Sequence, residues 1–208
     1  MKRFEIITEA DARILEVGET VLLQKGGVVT PLAQDTLRSR RVSVVSDDLD
    51  GAEGHALAPV ADVRRVAIGS DHSGLALKTT IVAALRGKGL AVDDLGTLTP
   101  EPVDYPDTAA RVARSVARGE ADAGIVIDGA GIGSSIAANK IKGVRAAVCH
   151  DSTMARYARQ HNGANVLSLG STLIAPKDAL EVIDTWLSTP MKEPRYIRRL
   201  AKIKALEE

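Results

Sequence analysis

Charge of one sign, cysteine, aromatic side chains and long apolar runs are all scarce in this chain. Lys plus Arg and Asp plus Glu number 27 each over 208 residues, so no charge excess points to nucleic acid or an anionic membrane as a partner. The single cysteine, Cys149, excludes an intrachain disulfide framework. Its place in the apolar run from Val144 to Cys149 predicts a buried structural thiol in a reducing compartment. The N-terminus MKRFEIITEA carries acidic residues where a secretory signal has an apolar core, and no apolar run is long enough to span a bilayer. A soluble, cytoplasmic protein is therefore expected. Tyr105 is one of three tyrosines, and Trp186, the one tryptophan, is expected to pack in the core. What the chain does have is 45% hydrophobic content, enough to build a core.

Composition and periodicity divide the chain into three. Residues 1–48 read as a small α+β extension: a short helix opened by Thr8 and ended by Gly18, a strand from Thr20 to Gln24, a turn at Gly26–Gly27, a helix from Thr30-Pro31 to about Arg40, and a strand from Val42 to Val45. Residues 49–64, within the run DDLDGAEGHALAPVADV, are rich in Ala, Gly and Asp and read as a linker. From Arg65 to the end at residue 208, short apolar runs alternate strictly with helical patterns. Strands are expected at 66–69, 91–95, 123–127, 144–149 and 166–169, with a last charged helix over about 193–206. Such alternation predicts a three-layer α/β/α, Rossmann-like fold with a five-stranded parallel sheet. Ligands of such sheets bind beyond the carboxyl ends of the strands.

That rule directs attention to Ala123–Lys140, AGIVIDGAGIGSSIAANK, where a buried strand breaks at Asp128 into Gly129, Gly131 and Gly133 and then a helix beginning near Ser134. Three glycines in five residues exceed what a plain turn needs. They free backbone N–H groups to face an anion at the helix N-terminus. A dinucleotide would use a similar loop, but its third glycine is wanted where Ser134 or Ile136 stands, and its fingerprint belongs to the first βα unit rather than the third. Asp151, about twenty residues on, is the one feature in its favour. Asp71 and His72 follow the first strand, where Asp71 would also serve as a plain helix cap. His161 and Asn162 end a helix, a common place for a cation and a cap. Arg195 and Arg199 lie four apart on one helical face, which suits a phosphate or plain solvent.

Five stretches in order, GSDHSGLALK, DYPD, GAGIGSSIAANK, RQHNGANVLSLGS and RYIRR, resemble the sugar-phosphate isomerase family that contains the type B ribose-5-phosphate isomerases and the galactose-6-phosphate isomerase subunits. The likeness covers residues 65 to about 204. It implies interconversion of aldose and ketose phosphates through an enediolate, with no metal or organic cofactor, at sites shared between the subunits of a homodimer or a tetramer. Position by position, it implies that Asp128 stands where the family usually has a cysteine base, and that the amides of Gly129 to Ser134 hold the enediolate. His161 with Asp71 would open the sugar ring, Asn162 and Tyr105 would bind hydroxyls, and His72, Arg195 and Arg199 would meet the phosphate. A carboxyl group is ionised at neutral pH without help, as a proton-abstracting base requires. Ala130, Thr172 and Tyr196 replace the family's common threonine, arginine and histidine, each removing a polar handle. Residues 7–45 resemble N-terminal segments of enzymes of bacterial microcompartments, which implies a docking module for a shell or cargo protein.

Overall fold

Residues 2–46, 57–191 and 193–207 are described by the computed structural model. The chain forms two units, Met1–Leu57 with Glu193–Ala201, and Ala58–Lys192 with Lys202–Glu208. The first begins with β1 (Arg3–Ile7), α1 (Glu9–Ile14), β2 (Thr20–Val29), α2 (Pro31–Ser39) and β3 (Ser43–Ser46), its strands parallel in the order β1-β2-β3. A capping box starts α1: Asp11 donates its N–H to Thr8 Oγ1 at 3.4 Å, and the Thr8 N–H returns a bond of 2.9 Å to Asp11 Oδ2. Pro31 opens α2, where its fixed φ suits the first helical position. Ile7, Ala12, Leu15, Val21, Leu23 and Leu37 close a small core.

The structure corrects several expectations here. Residues 3–7 form a strand that periodicity left unassigned. Gly26–Gly27 do not end a strand: they lie within β2, where the register against β1 jumps from Phe4↔Leu23 to Ile6↔Val28. Gly26, at φ 74°, provides a bulge, and a glycine pair signals a bulge and a turn alike. Of the expected linker, residues 49–56 lie outside the described residues, and the part from 58 onward is mostly exposed but anchored at two points. Val63 joins the core of the second unit, and buried Arg159 donates Nη2 to the Val60 carbonyl at 2.7 Å.

The second unit alternates β4 (Arg65–Ser70), a 3-10 turn at His72–Gly74, α3 (Leu75–Gly87), β5 (Ala91–Asp94), α4 (Tyr105–Ala117), β6 (Ala123–Asp128), α5 (Ile132–Ala138), β7 (Ala146–Val148), α6 (Ser152–Asn162), β8 (Val166–Gly170) and α7 (Pro176–Ser188). All five strands run parallel in the order β5-β4-β6-β8-β7. The two-residue period of the strands splits the core. Ile68, Ile125, Ile127, Leu167 and Leu169 face α3, α6 and α7, whereas Ala67, Val126 and Val166 face α4 and α5. Trp186 is fully buried, with the Arg159 guanidinium carbon 4.8 Å from its ring centroid. Burial, and secondarily the charge of Arg145, brings the Arg159 pKa down to about 10.

The last helix is α8 (Pro194–Lys204), whose residues up to Ala201 group with the first unit. Its Tyr196 and Leu200 are 6% and 1% exposed. Helical periodicity shows that such a face must be covered and is silent on what covers it.

Candidate functional site

The neighbours β4 and β6 meet where the strand order reverses, the place at which open parallel sheets bind ligands. Asp71 donates its N–H to the Ile127 carbonyl at 3.1 Å, so Asp71 and Asp128 leave adjacent strand ends. β6 is buried along its whole length, and the charged residue that ends it is 5% exposed.

Both carboxylate oxygens of Asp128 are occupied. Oδ1 accepts the N–H of Ala130 at 2.9 Å and that of Gly131, and Oδ2 accepts the N–H of Ser134 at 2.7 Å. The glycine loop therefore does cradle an anion, but the anion is the chain's own side chain. Ile132 and Gly133, the other two amides in the first turn of α5, have no hydrogen-bond partner among the described residues. Gly131 takes φ 77° and runs so close to β8 that a Cβ on it would lie 2.9 Å from the Leu169 carbonyl carbon. The loop is also braced from β8 and beyond. Ser168 Oγ donates to the Gly131 carbonyl at 2.5 Å, Thr172 Oγ1 to the Gly129 carbonyl at 2.7 Å, and the Ser171 N–H to the Asp128 carbonyl at 2.8 Å.

Around this loop the structure gathers some of the expected residues. Tyr105 lays its phenol over Gly133, where a Cβ would come within 2.5 Å of Cζ. Asp71 Oδ1 accepts Ser73 Oγ at 2.6 Å and the Gly74 N–H at 3.1 Å, capping the 3-10 turn, and makes no hydrogen bond to His161. Ser73 Oγ lies 3.8 Å from the position of a Cβ on Gly129, which sets that turn beside the loop. His72 Nδ1 accepts the Val103 N–H at 3.3 Å, so a neutral ring carries its hydrogen on Nε2. The ring of His161 stacks on Tyr157 at 4.6 Å, and Asn162 Nδ2 donates to the Tyr157 carbonyl at 3.1 Å, anchoring both to their own helix. Arg195 and Arg199 fall in the first unit.

Sequence reasoning passed over Ser168 and the pair formed by Lys78 and Asp94. A lone serine inside the apolar strand VLSLG was the available signal for the first. Lys78 is 1% exposed and donates Nζ to Asp94 at 2.6 and 2.8 Å and to the Thr97 carbonyl at 2.7 Å. It thereby holds the start of the 95–104 loop, which also supplies the Val103 N–H to His72. A lysine within a helical pattern gave no hint of this burial.

Cys149 is 1% exposed, and burial, with the Asp151 carboxylate second, pushes its thiol up to about 12 from an ordinary 9.0. Native protein at pH 8 is expected to resist thiol reagents and to take up one equivalent on unfolding, checked by titration with a chromogenic disulfide. Since the folded state keeps the thiol neutral to higher pH than the unfolded chain, this contribution to stability is complete below pH 9.0 and fades as pH rises toward about 12. Rapid labelling of the native form would show an open site instead. Among the described residues no group of three or more His, Cys, Asp or Glu is placed to hold a metal ion, and no helix is long and apolar enough to cross a membrane.

The family model for ribose/galactose isomerases matches residues 66–203. Ribose-5-phosphate isomerase B of Escherichia coli K12 is 44% identical over 146 residues, spanning 70% of this chain and 98% of that protein. The structure of Clostridium thermocellum ribose-5-phosphate isomerase B is similar at a TM-score of 0.68 and 48% identity, covering 69% of this chain and 97% of that one. The Mycoplasma genitalium ribose-5-phosphate isomerase B crystallised with bound ribulose 5-phosphate is similar at a TM-score of 0.67 and 40% identity, covering 69% and 95%.

Proposed function

The chain belongs to the ribose/galactose isomerase family, a family of sugar-phosphate isomerases, and from that premise we propose that it interconverts ribose 5-phosphate and ribulose 5-phosphate through an enediolate, with Asp128 as the base. The observation that carries this reading is the placement of the Asp128 carboxylate at the reversal point of the sheet, fixed by loop amides. Oδ1 takes two of those bonds and Oδ2 only one. A carboxylate oxygen accepts two, so Oδ2 keeps a lone pair with which to remove the proton on the sugar's second carbon. The free amides of Ile132 and Gly133 then take the role of holding the enediolate oxygen. Tyr105 and Asn162 bind hydroxyls, His72 presents its Nε2 hydrogen, and Arg195 and Arg199 meet the phosphate. His161 and Asp71 serve ring opening. Exchange of the hydrogen on the second carbon with solvent in deuterated water, followed by NMR, tests the reading. Ribose 5-phosphate should exchange with wild-type protein; absence of exchange with every pentose and hexose phosphate tried would end it.

A second reading rests on the same bonds. Three of the amides assigned to the enediolate are filled by Asp128, and Ala130 offers no hydroxyl beside it. These features favour a companion subunit that binds a sugar phosphate and turns over weakly or not at all by itself. Such a protein binds ribose 5-phosphate without exchange.

The assembly and location follow the same premise. Exposed Ile132 and Ile136, 56% and 59% accessible and one turn apart beside the loop, support a homodimer or tetramer with shared sites. Exposed Ile14 and Val17, 73% and 70% accessible, support docking of residues 1–48 on a microcompartment shell or cargo protein. Replacing both with glutamate should abolish co-sedimentation with shells and leave turnover unchanged. Co-sedimentation that survives would remove the docking role from this patch.

A further inference from the structure

Ser168 is the one polar side chain in the buried strand VLSLG, set between Val126 of β6 and Val148 of β7 in the register of the sheet. It is fully buried. A hydroxyl on such a face is unfavourable unless it is hydrogen-bonded, and alanine would fill the position without that demand. The hydroxyl makes one hydrogen bond among the described residues, and it goes to the glycine loop: Ser168 Oγ donates to the Gly131 carbonyl at 2.5 Å. That carbonyl also accepts the Ser135 N–H, which closes the first turn of α5 at a longer 3.2 Å. A second hydroxyl grips the loop two residues earlier. Thr172 Oγ1 donates to the Gly129 carbonyl at 2.7 Å, beside the bond of 3.0 Å from the Thr172 N–H.

Peptide planarity carries each grip across to the far side. In a trans peptide unit the C=O and the N–H point in opposite directions, so a donor that holds the carbonyl also aims the amide. The unit held by Thr172 joins Gly129 to Ala130, and its N–H is the one that Asp128 Oδ1 accepts at 2.9 Å. The unit held by Ser168 joins Gly131 to Ile132, and its N–H has no partner among the described residues. Gly131, at φ 77° and ψ −10°, has no side chain to resist rotation of that unit. Its aim therefore depends on what holds the carbonyl, and the shorter of the two bonds comes from Ser168.

We infer that Ser168 and Thr172 are positioning residues: Ser168 aims the Ile132 amide at the enediolate oxygen, and Thr172 aims the Ala130 amide at the base. The inference rests on the isomerase reading and adds to it the two side chains that set the loop. Each acts through a peptide unit rather than on the sugar. Negative charge gathers on the sugar oxygen as the enediolate forms, so a well-aimed donor acts on turnover far more than on substrate binding. Thr172, which offers the substrate less than an arginine would, has its use toward the loop instead.

Steady-state isomerisation of ribose 5-phosphate by wild type, Ser168→Ala, Thr172→Val and Thr172→Ser tests it, with melting temperatures as a check on folding. Ser168→Ala and Thr172→Val should each lower kcat about tenfold, the equivalent of one hydrogen bond, while KM stays nearly constant. Thr172→Ser, which keeps the hydroxyl, should restore kcat. Thr172 is exposed, so Thr172→Val supplies the comparison even if Ser168→Ala does not fold. Unaltered kcat in both variants, or a rise in KM alone, overturns the inference and leaves the isomerase standing. If wild type does not turn over, the isomerase reading falls by itself, and the amide proton resonance of Ile132 on addition of ribose 5-phosphate decides the aim. A shift in wild type that is lost in Ser168→Ala supports it; the same shift in both, or a shift in neither, overturns it.

Discussion

Asp128→Asn should lower exchange at the second carbon of ribose 5-phosphate by about 10²–10⁴-fold, the range that a positioned general base contributes. The substitution is isosteric, so the loop should keep its path. Its amide oxygen can occupy the place of Oδ1 and continue to accept from Ala130 and Gly131. The amide nitrogen then faces the Ser134 N–H across the 2.7 Å that Oδ2 now spans, donor against donor. Leaving that buried amide unpaired costs about 1–3 kcal/mol, visible as a lower urea midpoint with a cooperative transition retained. The two readouts separate the two functional readings. An isomerase loses turnover and some stability together. A companion subunit shows no wild-type exchange to lose, and Asp128→Asn alters its stability alone. Full exchange in Asp128→Asn would show that the base lies elsewhere.

Lys78→Met should destabilise the second unit by about 3 kcal/mol, the lower end of what removing one partner of a buried ion pair costs. The ammonium is 1% exposed, while the Asp94 side chain retains 20% exposure, so water relieves part of the uncompensated charge. Methionine fills the same volume, which confines the effect to the lost bonds to Asp94 and Thr97. Because those bonds tie down the loop that bears Val103, His72 should lose its fixed orientation as well, and KM should rise more than kcat falls. Adding Asp94→Leu to Lys78→Met should recover most of the stability, since an apolar pair replaces a buried ionic one at little net cost. Urea unfolding of the three variants decides it. A Lys78→Met change below about 0.5 kcal/mol, the scale of an ordinary surface substitution, would mean the pair contributes nothing.

The alternation of strands and helices was legible because each buried strand reads as a short apolar run bracketed by charge or glycine, Ala123–Asp128 most clearly. The glycine loop was legible for the same reason. What the loop holds was not, since an aspartate before three glycines suits a base aimed outward and a carboxylate folded back onto its own amides equally well. Only the path of the backbone decides, and Gly131, pressed against Leu169, sets that path. Asp71 shows the same ambiguity, having the environment of a cap. That Glu193–Ala201 belongs with Met1–Leu57 is a long-range choice that local periodicity does not encode.

That choice leaves neither unit as an uninterrupted piece of polypeptide. The chain completes most of one unit, builds the other, returns to the first at Glu193–Ala201 and ends in the second, where Glu207 accepts the Gly143 N–H at 2.9 Å. No single cut of the backbone can release either half intact. Removing the N-terminal residues would leave Glu193–Ala201 without the rest of its unit, so truncation would injure the remainder as well as remove a part.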